Sequence, residues 1–264
     1  MEESLVYAGA HPAANFVPPR ASILQYPVDS LTIEEAVRWI GEHAQSQPLQ
    51  QIAVLNANKL WLAEHDPRLA ELICQAELVI PEWAVVWGCR MLGSPLRAHV
   101  GGIMLLKALL PWLNRNHMPV FFLGAKAEVL DKLAEKLKQD YPGLQHAGAR
   151  SGYFSAEEEA AVVEEINASR AQLLLVAMGS PRQEFFIARN RRKLRVGVAI
   201  GVGGSFDVLA GIKKDAPAWT RHGFEWLYRL AQDPRNLWKR YAITNSWFVA
   251  KVVGERIARR EPKN

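Results

Sequence analysis

Short runs of apolar residues alternate along this chain with longer segments in which apolar residues recur every three or four positions. The runs, of which Leu173 to Met178 is the clearest, are too short for helices and show no polar alternation, which is typical of strands covered on both faces of a parallel sheet. The longer segments have the period of amphipathic helices. The alternation predicts an α/β fold: a doubly wound, mainly parallel, Rossmann-like sheet with right-handed crossovers and a C-terminal helical appendage.

The same pattern sets approximate bounds for individual elements. Strands are predicted at 51–56, 77–80, 119–123, 173–178 and 196–200. Helices are predicted at 32–47, 67–76, 102–116, 126–140 and 155–169, with further helices beginning near 83 and 181. Three helix starts carry a serine or threonine followed three residues later by Glu or Gln, which is the signature of a capping box, at Thr32, Ser155 and Ser180.

Glycines follow three of the predicted strands, at the end from which the next helix begins. They are Gly124, Gly179 and the group Gly201, Gly203 and Gly204. In open α/β sheets ligands bind at this edge, and helix N-termini there favour anions such as phosphates. Taken singly, each glycine is better explained by a plain turn, but their recurrence predicts a ligand that carries phosphate. Glu82 follows the strand at 77–80 and is therefore predicted to lie at the same edge. The alternative explanation for Glu82 is that its negative charge only interacts favourably with the dipole of the following helix.

The chain divides by composition into three parts. Residues 1–26 contain three prolines and no periodicity, so we expect an extended arm; residues 27–215 carry the alternating pattern; residues 216–264 form a helical appendage rich in arginine and aromatic residues. Within the appendage, residues 221–264 hold ten Lys/Arg against four Asp/Glu, whereas residues 1–220 have a net charge of only −1. The basic character of the protein therefore lies in the appendage.

Several chemistries are excluded by missing motifs. GVGGSF at 201–206 has Phe206 where a dinucleotide-binding turn needs glycine or alanine, and the chain contains no GxxxxGK[ST], GxSxG, HExxH or Asp-x-Asp motif. Cys74 and Cys89 lack the spacing of zinc ligands or of a disulfide framework, which favours a reducing compartment. No resident metal or cofactor is predicted, no segment is long and apolar enough to span a membrane, and no nucleic-acid-binding module accompanies the basic tail.

Several motifs occur in an order and spacing that match a known family. They are LNANKL at 55–60, IPEW at 80–83, FFLGAK at 121–126, SGYF at 151–154, MGSPRQE at 178–184, GVGGSFDVLAG at 201–211, APAW at 216–219 and FEWLYRLAQDPRN at 224–236. On these motifs the chain resembles the WecG/TagA/CpsF family of bacterial glycosyltransferases between about residues 30 and 245. The resemblance implies an inverting, metal-independent enzyme that moves a sugar from a UDP-sugar to a polyprenyl-diphosphate-linked saccharide in cell-surface polysaccharide biosynthesis.

The resemblance also implies roles for individual residues. Glu82 is expected to be the catalytic base. The substrate-binding residues are expected to be Asn56, Asn58, His99, Gly124, Gly179, Gln183, Glu184, Gly203, Gly204, Asp207, Arg229, Arg235 and Arg240. The glycine turns would hold the nucleotide and its diphosphate, and the arginines of the appendage would neutralise the charge of the diphosphate.

The chain departs from the family pattern near the expected catalytic centre. The departures are Val54 in place of threonine, Glu82-Trp83 in place of Asp-Gly, His99 and Met104 in place of arginine and aspartate, and Asp215 in place of arginine. These departures leave open a change of donor sugar or acceptor. They also motivate a second hypothesis, that the protein binds a UDP-sugar or acts as a scaffold without catalysis.

The appendage and the implied lipid acceptor together predict where the protein acts. We expect a cytoplasmic protein attached peripherally to the anionic inner face of the cell membrane through residues 223–264, with Lys251, Arg256, Arg259 and Arg260 directed toward lipid head groups. Packing of this helical segment on the core is the alternative. Association into a homo-oligomer stays open.

Overall fold

A computed structural model describes residues 16–217, 220 and 223–259. Within these residues the strands are β1 (Arg20–Ile23), β2 (Tyr26–Asp29), β3 (Gln50–Leu55), β4 (Leu78–Pro81), β5 (Val120–Gly124), β6 (His146–Arg150), β7 (Leu173–Ala177) and β8 (Val198–Gly201). The helices are α1 (Ile33–His43), α2 (Ala57–His65), α3 (Pro67–Gln75), α4 (Trp83–Met91), α5 (Gly102–Asn116), α6 (Ala127–Asp140), α7 (Glu159–Ala168), α8 (Arg182–Asn190), α9 (Ser205–Leu209), α10 (Glu225–Gln232) and α11 (Pro234–Ala258).

Six of the strands form one parallel sheet in the order β4-β3-β8-β7-β5-β6. Successive side chains of a strand point to opposite faces of the sheet. Leu173 and Leu175 therefore pack into one hydrophobic core with α1, α5 and α6, whereas Leu174 and Val176 pack into another core with α7 and α8. Helices cover both faces of the sheet, which confirms the predicted doubly wound α/β fold.

A two-stranded antiparallel sheet, formed by β1 and β2, precedes the main sheet. The buried carboxylate of Asp29 accepts hydrogen bonds from Arg20 (2.7 and 2.8 Å) and from the backbone N–H of Val79 in β4 (2.7 Å). This carboxylate therefore fastens the hairpin to the β4 edge of the main sheet. The hairpin begins inside the segment for which an extended arm is predicted, and residues 1–15 of that arm lie outside the described residues.

Two of the predicted capping boxes form to different extents. The Thr32 hydroxyl accepts from the N–H of Glu35 (3.3 Å), and the Glu35 carboxylate accepts from the N–H of Thr32 (2.8 Å), so this box is confirmed. At the second site the N–H of Ser155 donates to the Glu158 carboxylate (2.8 Å), but α7 begins only after Glu158 and has no side-chain cap. The second box is therefore only half formed, and the helix starts later than predicted.

The helices that follow β7 and β3 begin differently from the prediction. α8 has no side-chain cap, because the Ser180 hydroxyl donates to the Glu184 carboxylate (3.1 Å). The predicted capping box of Ser180 with Gln183 is therefore wrong. Asn56, which ends the strand predicted at 51–56, instead caps α2 by accepting a hydrogen bond from the N–H of Lys59 (2.8 Å). This cap explains why a helix that the sequence analysis does not predict begins directly at the end of β3.

Helices α10 and α11 follow the α/β unit. α11 packs against α2 and α4 and buries Phe248 and Val252. α11 and α4 cross closely at Gly88 of α4, where an added Cβ would lie 2.8 Å from the Phe248 ring and 2.6 Å from the Ile23 side chain. Packing of the appendage on the core is thus observed for α11, whereas α10 buries none of its residues. Among the described helices, none combines the length and the apolar character that crossing a membrane requires.

Candidate active site

Glu82 follows β4 at the carboxyl edge of the sheet, where it lines a cavity of about 520 Å³. Its backbone N–H donates to the carbonyl of Leu55 at the end of β3 (2.9 Å), and this bond extends the strand pairing by one residue and fixes the position of Glu82. Although Glu82 is the N-cap residue of α4, its carboxylate makes no capping hydrogen bond. The carboxylate is therefore not used to cap the helix and is available to a ligand in the cavity.

Four strand ends and the appendage supply the walls of this cavity. The strand ends and adjoining loops contribute Val54, Asn56, Asn58, Lys59, Glu82, His99, Gly101, Gly179, Ser180, Gln183, Gly201, Gly203, Gly204 and Ser205. The start of α4 and the appendage contribute Trp83, Trp87, Gly223, Glu225, Trp226, Arg229, Arg240, Tyr241, Thr244, Asn245, Phe248 and Val249. The cavity therefore spans the boundary that composition suggests near residue 215.

The pKa of the Glu82 carboxyl is raised. Burial is the main cause, and the negative charge of Glu225 on α10 adds to it, whereas Arg229, Lys59 and the Asn56 side chain oppose it. A carboxylate with a raised pKa is a stronger base than an ordinary one, and bases work best when their pKa is close to the working pH. The position and the electrostatics of Glu82 together suit it to take a proton from a ligand in the cavity.

Two arginines of the appendage also face this cavity. Arg229 forms an ion pair with Glu225 one turn away on α10, with 2.9 Å between Nε and Oε1. Arg240 on α11 holds its guanidinium 5.0 Å from the centre of the Tyr241 ring. Guanidinium groups bind phosphate through paired, charge-assisted hydrogen bonds, so these two side chains bring phosphate-binding chemistry to the same space as Glu82.

A buried hydrogen-bond network lies behind the glycine turns. Lys59 and Glu184 form an ion pair with 2.7 Å between Nζ and Oε1, and their side chains are only 2% and 3% exposed. The same carboxylate oxygen accepts from Gln183 Nε2 (2.9 Å) and from Ser180 Oγ (3.1 Å). Gln183 in turn accepts at Oε1 from the N–H of Gly203 (3.1 Å). The network fixes the turn after β7 against the turn after β8.

The glycines of the predicted turns are required for different reasons. Gly179 and Gly203 have positive φ angles of 74° and 56°, which residues other than glycine rarely adopt. Gly201 has no space for a Cβ, which would lie 2.4 Å from the Gln183 amide. Gly124 lies outside the cavity, and a Cβ there would lie 2.4 Å from the backbone of β7. The glycine at 124 therefore serves the close approach of two strands.

Ten of the fourteen residues expected in the site line the cavity. They are Asn56, Asn58, Glu82, His99, Gly179, Gln183, Gly203, Gly204, Arg229 and Arg240. The other four lie outside its lining: Gly124 packs on β7, Glu184 lies behind Gln183, the carbonyl of Asp207 closes the turn after α9, and Arg235 is exposed. The structure thus brings together residues from distant parts of the chain, but not the whole expected set.

Some of the positions that depart from the family pattern make specific contacts at the cavity. The Trp83 ring lies edge-on to His99, with 5.6 Å between the ring centroids. A Cβ on Gly223 would lie 1.9 Å from Trp83 Nε1, so the indole packs directly on the backbone that leads into α10. Asp215, which lies outside the cavity lining, forms an ion pair with Lys107 on α5. Trp83 therefore joins the strand end that carries the carboxylate to the appendage.

Arg235 and Arg240 of α11 are expected in the site, but a whole face of this helix is not predicted to line the cavity. The lining residues on this helix are Arg240, Tyr241, Thr244, Asn245, Phe248 and Val249. They recur at intervals of three and four, so they share one helical face. This spacing is visible in the sequence and is the signal that identifies the face. The pattern alone does not show which element the face meets.

The site combines a base with groups that favour a bound anion. Glu82 is the carboxylate suited to act as a base, and the groups suited to an anion are two arginines, the glycine turns and the N-terminus of α8. In the part of the chain that the structure describes, no three His, Cys, Asp or Glu residues are grouped so that they could hold a metal ion. The arrangement suits removal of a proton from a hydroxyl beside a bound phosphate ester.

Comparisons with known proteins identify the family of the chain. A model of the glycosyl transferase WecG/TagA/CpsF family matches residues 21–262. A relative from Bacillus spizizenii, named N-acetylglucosaminyldiphosphoundecaprenol N-acetyl-beta-D-mannosaminyltransferase, is 35% identical over 196 residues, which cover 74% of this chain and 75% of the relative. Together with the motifs in the sequence, these matches show that the chain belongs to the WecG/TagA/CpsF family of glycosyltransferases.

Proposed function

We propose that this glycosyltransferase moves a sugar from a UDP-sugar to a polyprenyl-diphosphate-linked saccharide in cell-surface polysaccharide biosynthesis, with inversion at the anomeric carbon and without a metal ion. The observation that carries the proposal is the presence of Glu82 in one cavity with Arg229, Arg240 and two glycine turns. The relative from Bacillus spizizenii, whose printed name specifies a lipid-diphosphate-linked acceptor, supports the acceptor class.

The order of the strands sets the distance between the base and the glycine turns. β4, which ends beside Glu82, and β8, which ends in the turn of Gly203 and Gly204, are separated by β3 alone. Neighbouring strands lie about 4.8 Å apart, so two steps across the sheet span roughly 10 Å. In an inverting transfer the attacking hydroxyl oxygen, the anomeric carbon and the bridging oxygen of the donor lie in line between the base and the first phosphorus, and this line has about that length. We therefore place the anomeric carbon above β3, between Glu82 and the diphosphate at the glycine turns.

In this arrangement Glu82 takes the proton of the acceptor hydroxyl while the hydroxyl oxygen attacks the anomeric carbon. The bond between the anomeric carbon and UDP breaks, and its electron pair leaves with UDP. Attack from the face opposite UDP inverts the configuration. Arg229 and the N-terminus of α8 neutralise the charge on the departing diphosphate. General-base help of this kind contributes about 10²- to 10⁴-fold to the rate.

The second part of the proposal is peripheral attachment of the appendage to the anionic inner face of the cell membrane. Outside the cavity lining, large apolar side chains are exposed along the appendage at Phe224, Leu227, Trp238, Ile243, Val253 and Ile257. Residues 221–264 also carry a net charge of +6. Each Lys or Arg close to an anionic surface contributes about 1 kcal/mol of attraction. Exposed apolar and aromatic residues within a basic segment therefore support contact with lipid.

Some of the cations expected at lipid head groups also hold α11 in place. Lys251 pairs with a glutamate of α2, and Arg259 donates to a carbonyl at the end of α4 (3.1 Å). Arg256 contacts a methionine sulfur of α4 (3.3 Å), and Arg260 lies outside the described residues. The exposed apolar side chains are therefore a more direct support for membrane contact than these cations.

Product formation tests the proposed activity. The full chain is incubated with a panel of UDP-sugars and undecaprenyl-diphosphate-linked N-acetylglucosamine, with and without EDTA, and the new linkage is assigned by NMR. We expect transfer from one of the donors, resistance to EDTA, and a product of inverted configuration. If UDP-sugars bind in calorimetry but no donor and acceptor pair gives a product, the hypothesis of a sugar-nucleotide-binding protein without catalysis replaces this proposal.

A further inference from the structure

Thr244 on α11 is a buried residue of the cavity wall. The residue lines the cavity and is only 2% exposed, and its Oγ1 has no hydrogen-bond partner within the described part of the chain. A threonine in a helix commonly bonds its hydroxyl to the carbonyl three or four residues before it. A buried hydroxyl without a partner is destabilising. The position of Thr244 therefore points to a ligand that completes this hydrogen bond.

The surroundings of Thr244 indicate the class of that ligand. The same face of α11 brings Tyr241, Asn245 and Phe248 to the cavity, and the Trp87 ring of α4 lies 6.3 Å from the Phe248 ring between centroids. A wall of aromatic rings with one amide and one hydroxyl suits a pyranose, whose C–H faces pack on rings while its hydroxyl groups form hydrogen bonds. A prenyl chain would leave the Thr244 hydroxyl without a partner.

This wall lies at the β4 end of the cavity. β4 is the edge strand of the sheet, and α11 packs on α2 and α4, the helices that follow β3 and β4. The glycine turns that follow β8 and β7 lie two and three strands further across the sheet. A sugar against α4 and α11 and a diphosphate at the glycine turns therefore approach Glu82 from different directions. Arg240, one helical turn before Thr244, lines the cavity where it would meet a phosphate attached to that sugar.

We propose that α4 and α11 form the subsite for the acceptor sugar, with the Thr244 hydroxyl bonded to the pyranose and Arg240 bonded to the diphosphate that carries it. This inference rests on the proposed function and extends it to the residues that select the acceptor. It makes Thr244 a specificity-determining residue for the acceptor and gives it no part in holding UDP.

Two substitutions at Thr244 test this subsite. Thr244→Val removes the hydroxyl with little change of shape, and Thr244→Ser keeps it. We expect the valine variant to raise the KM for undecaprenyl-diphosphate-linked N-acetylglucosamine about tenfold, as loss of one hydrogen bond would, and the serine variant to stay within about twofold. UDP affinity measured by calorimetry should be unchanged in both variants. An unchanged KM for the acceptor in the valine variant, or an equal loss of UDP affinity, would overturn the inference.

Thermal unfolding separates this role from a purely structural one. Thr244→Val replaces an unmet hydroxyl with a methyl group, so its Tm should be unchanged or higher. Thr220→Val is the matched control, because Thr220 is fully buried but its hydroxyl donates to the carbonyl of Pro217 (2.6 Å). The Tm of the control should be lower than that of the unchanged protein, because a buried hydrogen bond is removed. A loss of Tm in Thr244→Val as large as in the control would contradict the inference.

A binding measurement separates failure of the subsite from failure of the proposed function. If the full chain forms no product with any donor, binding of a short-chain alkyl N-acetylglucosaminyl diphosphate is measured by calorimetry in the presence of UDP. Binding that is weakened in Thr244→Val and retained in Thr244→Ser supports the subsite even without turnover. Equal binding by the variants and the unchanged protein, or no binding by the unchanged protein, overturns it.

Discussion

The ammonium group of Lys59 lies 2.7 Å from the carboxylate of Glu184, and both side chains are almost fully excluded from solvent. Lys59 belongs to the first turn of α2 and Glu184 to the first turn of α8. The pair therefore joins the helices that follow β3 and β7, which lie on either side of β8 in the sheet. A buried charge is stable only with its partner, so this pair holds two helix N-termini in a fixed relation at the cavity.

Removal of one partner of this pair should be strongly destabilising. Lys59→Met leaves the Glu184 carboxylate buried and unpaired, so we expect the free energy of unfolding to fall by about 3–5 kcal/mol in urea denaturation. The double variant Lys59→Met/Glu184→Gln, which carries no buried charge, should recover most of that loss. The prediction is wrong if the single variant is as stable as the unchanged protein.

Glu82→Gln keeps the shape of the side chain and removes its basicity. Turnover should fall about 10²- to 10⁴-fold, while UDP affinity in calorimetry stays nearly the same. Because burial and the charge of Glu225 raise the pKa of Glu82, turnover of the unchanged protein should still be rising with pH above the ordinary glutamate value of 4.5. Equal turnover of the two proteins would remove Glu82 from the mechanism.

The raised pKa of Glu82 also makes a prediction for stability. The folded protein binds a proton at Glu82 more tightly than the unfolded chain does, so its stability falls as the pH rises from about 4.5 through the folded pKa. Glu82→Gln lacks this loss. We expect the free energy of unfolding of the variant, relative to the unchanged protein, to increase over this pH range in a series of urea titrations. A difference that is constant with pH would show that folding does not raise the pKa.

Arg229 and Arg235 offer a matched comparison within the appendage, since Arg229 lines the cavity and Arg235 is exposed. Arg229→Ala should lower turnover roughly 10- to 100-fold, the range for one charge-assisted hydrogen bond, whereas Arg235→Ala should stay within about twofold. Because Arg229 opposes the pKa rise of Glu82, its loss should also move the acidic limb of the pH–rate profile to higher pH. Similar losses in both variants would indicate a general effect of charge instead.

Val253 and Ile257 test the membrane contact more cleanly than deletion of residues 244–264, because deletion also removes a wall of the cavity. These side chains are 40% and 56% exposed on α11. Val253→Ser/Ile257→Ser should reduce sedimentation with anionic vesicles and leave UDP affinity unchanged. Val17→Ser/Tyr153→Ser, which changes exposed apolar residues outside the appendage, is the control. Equal sedimentation of the two double variants would argue against this contact.

The buried elements of the fold could be predicted because burial on all sides leaves a continuous apolar signal. β7 is buried throughout, and α5 has the predicted bounds of Gly102 and Asn116. β6 was not predictable, because this edge strand is half exposed and its sequence HAGAR has no apolar run. α2 was missed for a related reason: Lys59 lies among its buried residues, so the charge needed by the ion pair interrupts the apolar pattern.

Some residues of the candidate site could be predicted from the sequence, and others could not, because their positions depend on contacts between distant segments. Glu82, Gly179 and Gly203 could be placed near one another because the carboxyl ends of parallel strands meet at one edge of a sheet. The position of Thr244 could not be predicted, because it depends on the packing of α11 against α4 at Gly88. This contact joins segments far apart in the chain, and neither segment carries a local signal for the other.

α11 runs without interruption from the cavity wall to the exposed apolar residues near its end. At 1.5 Å per residue, Thr244 and Ile257 are about 20 Å apart along a stiff rod. Whatever orients one end of such a rod orients the other. If the end near Ile257 rests on lipid, as proposed, the plane of the bilayer would therefore also set the orientation of the cavity wall that carries Thr244.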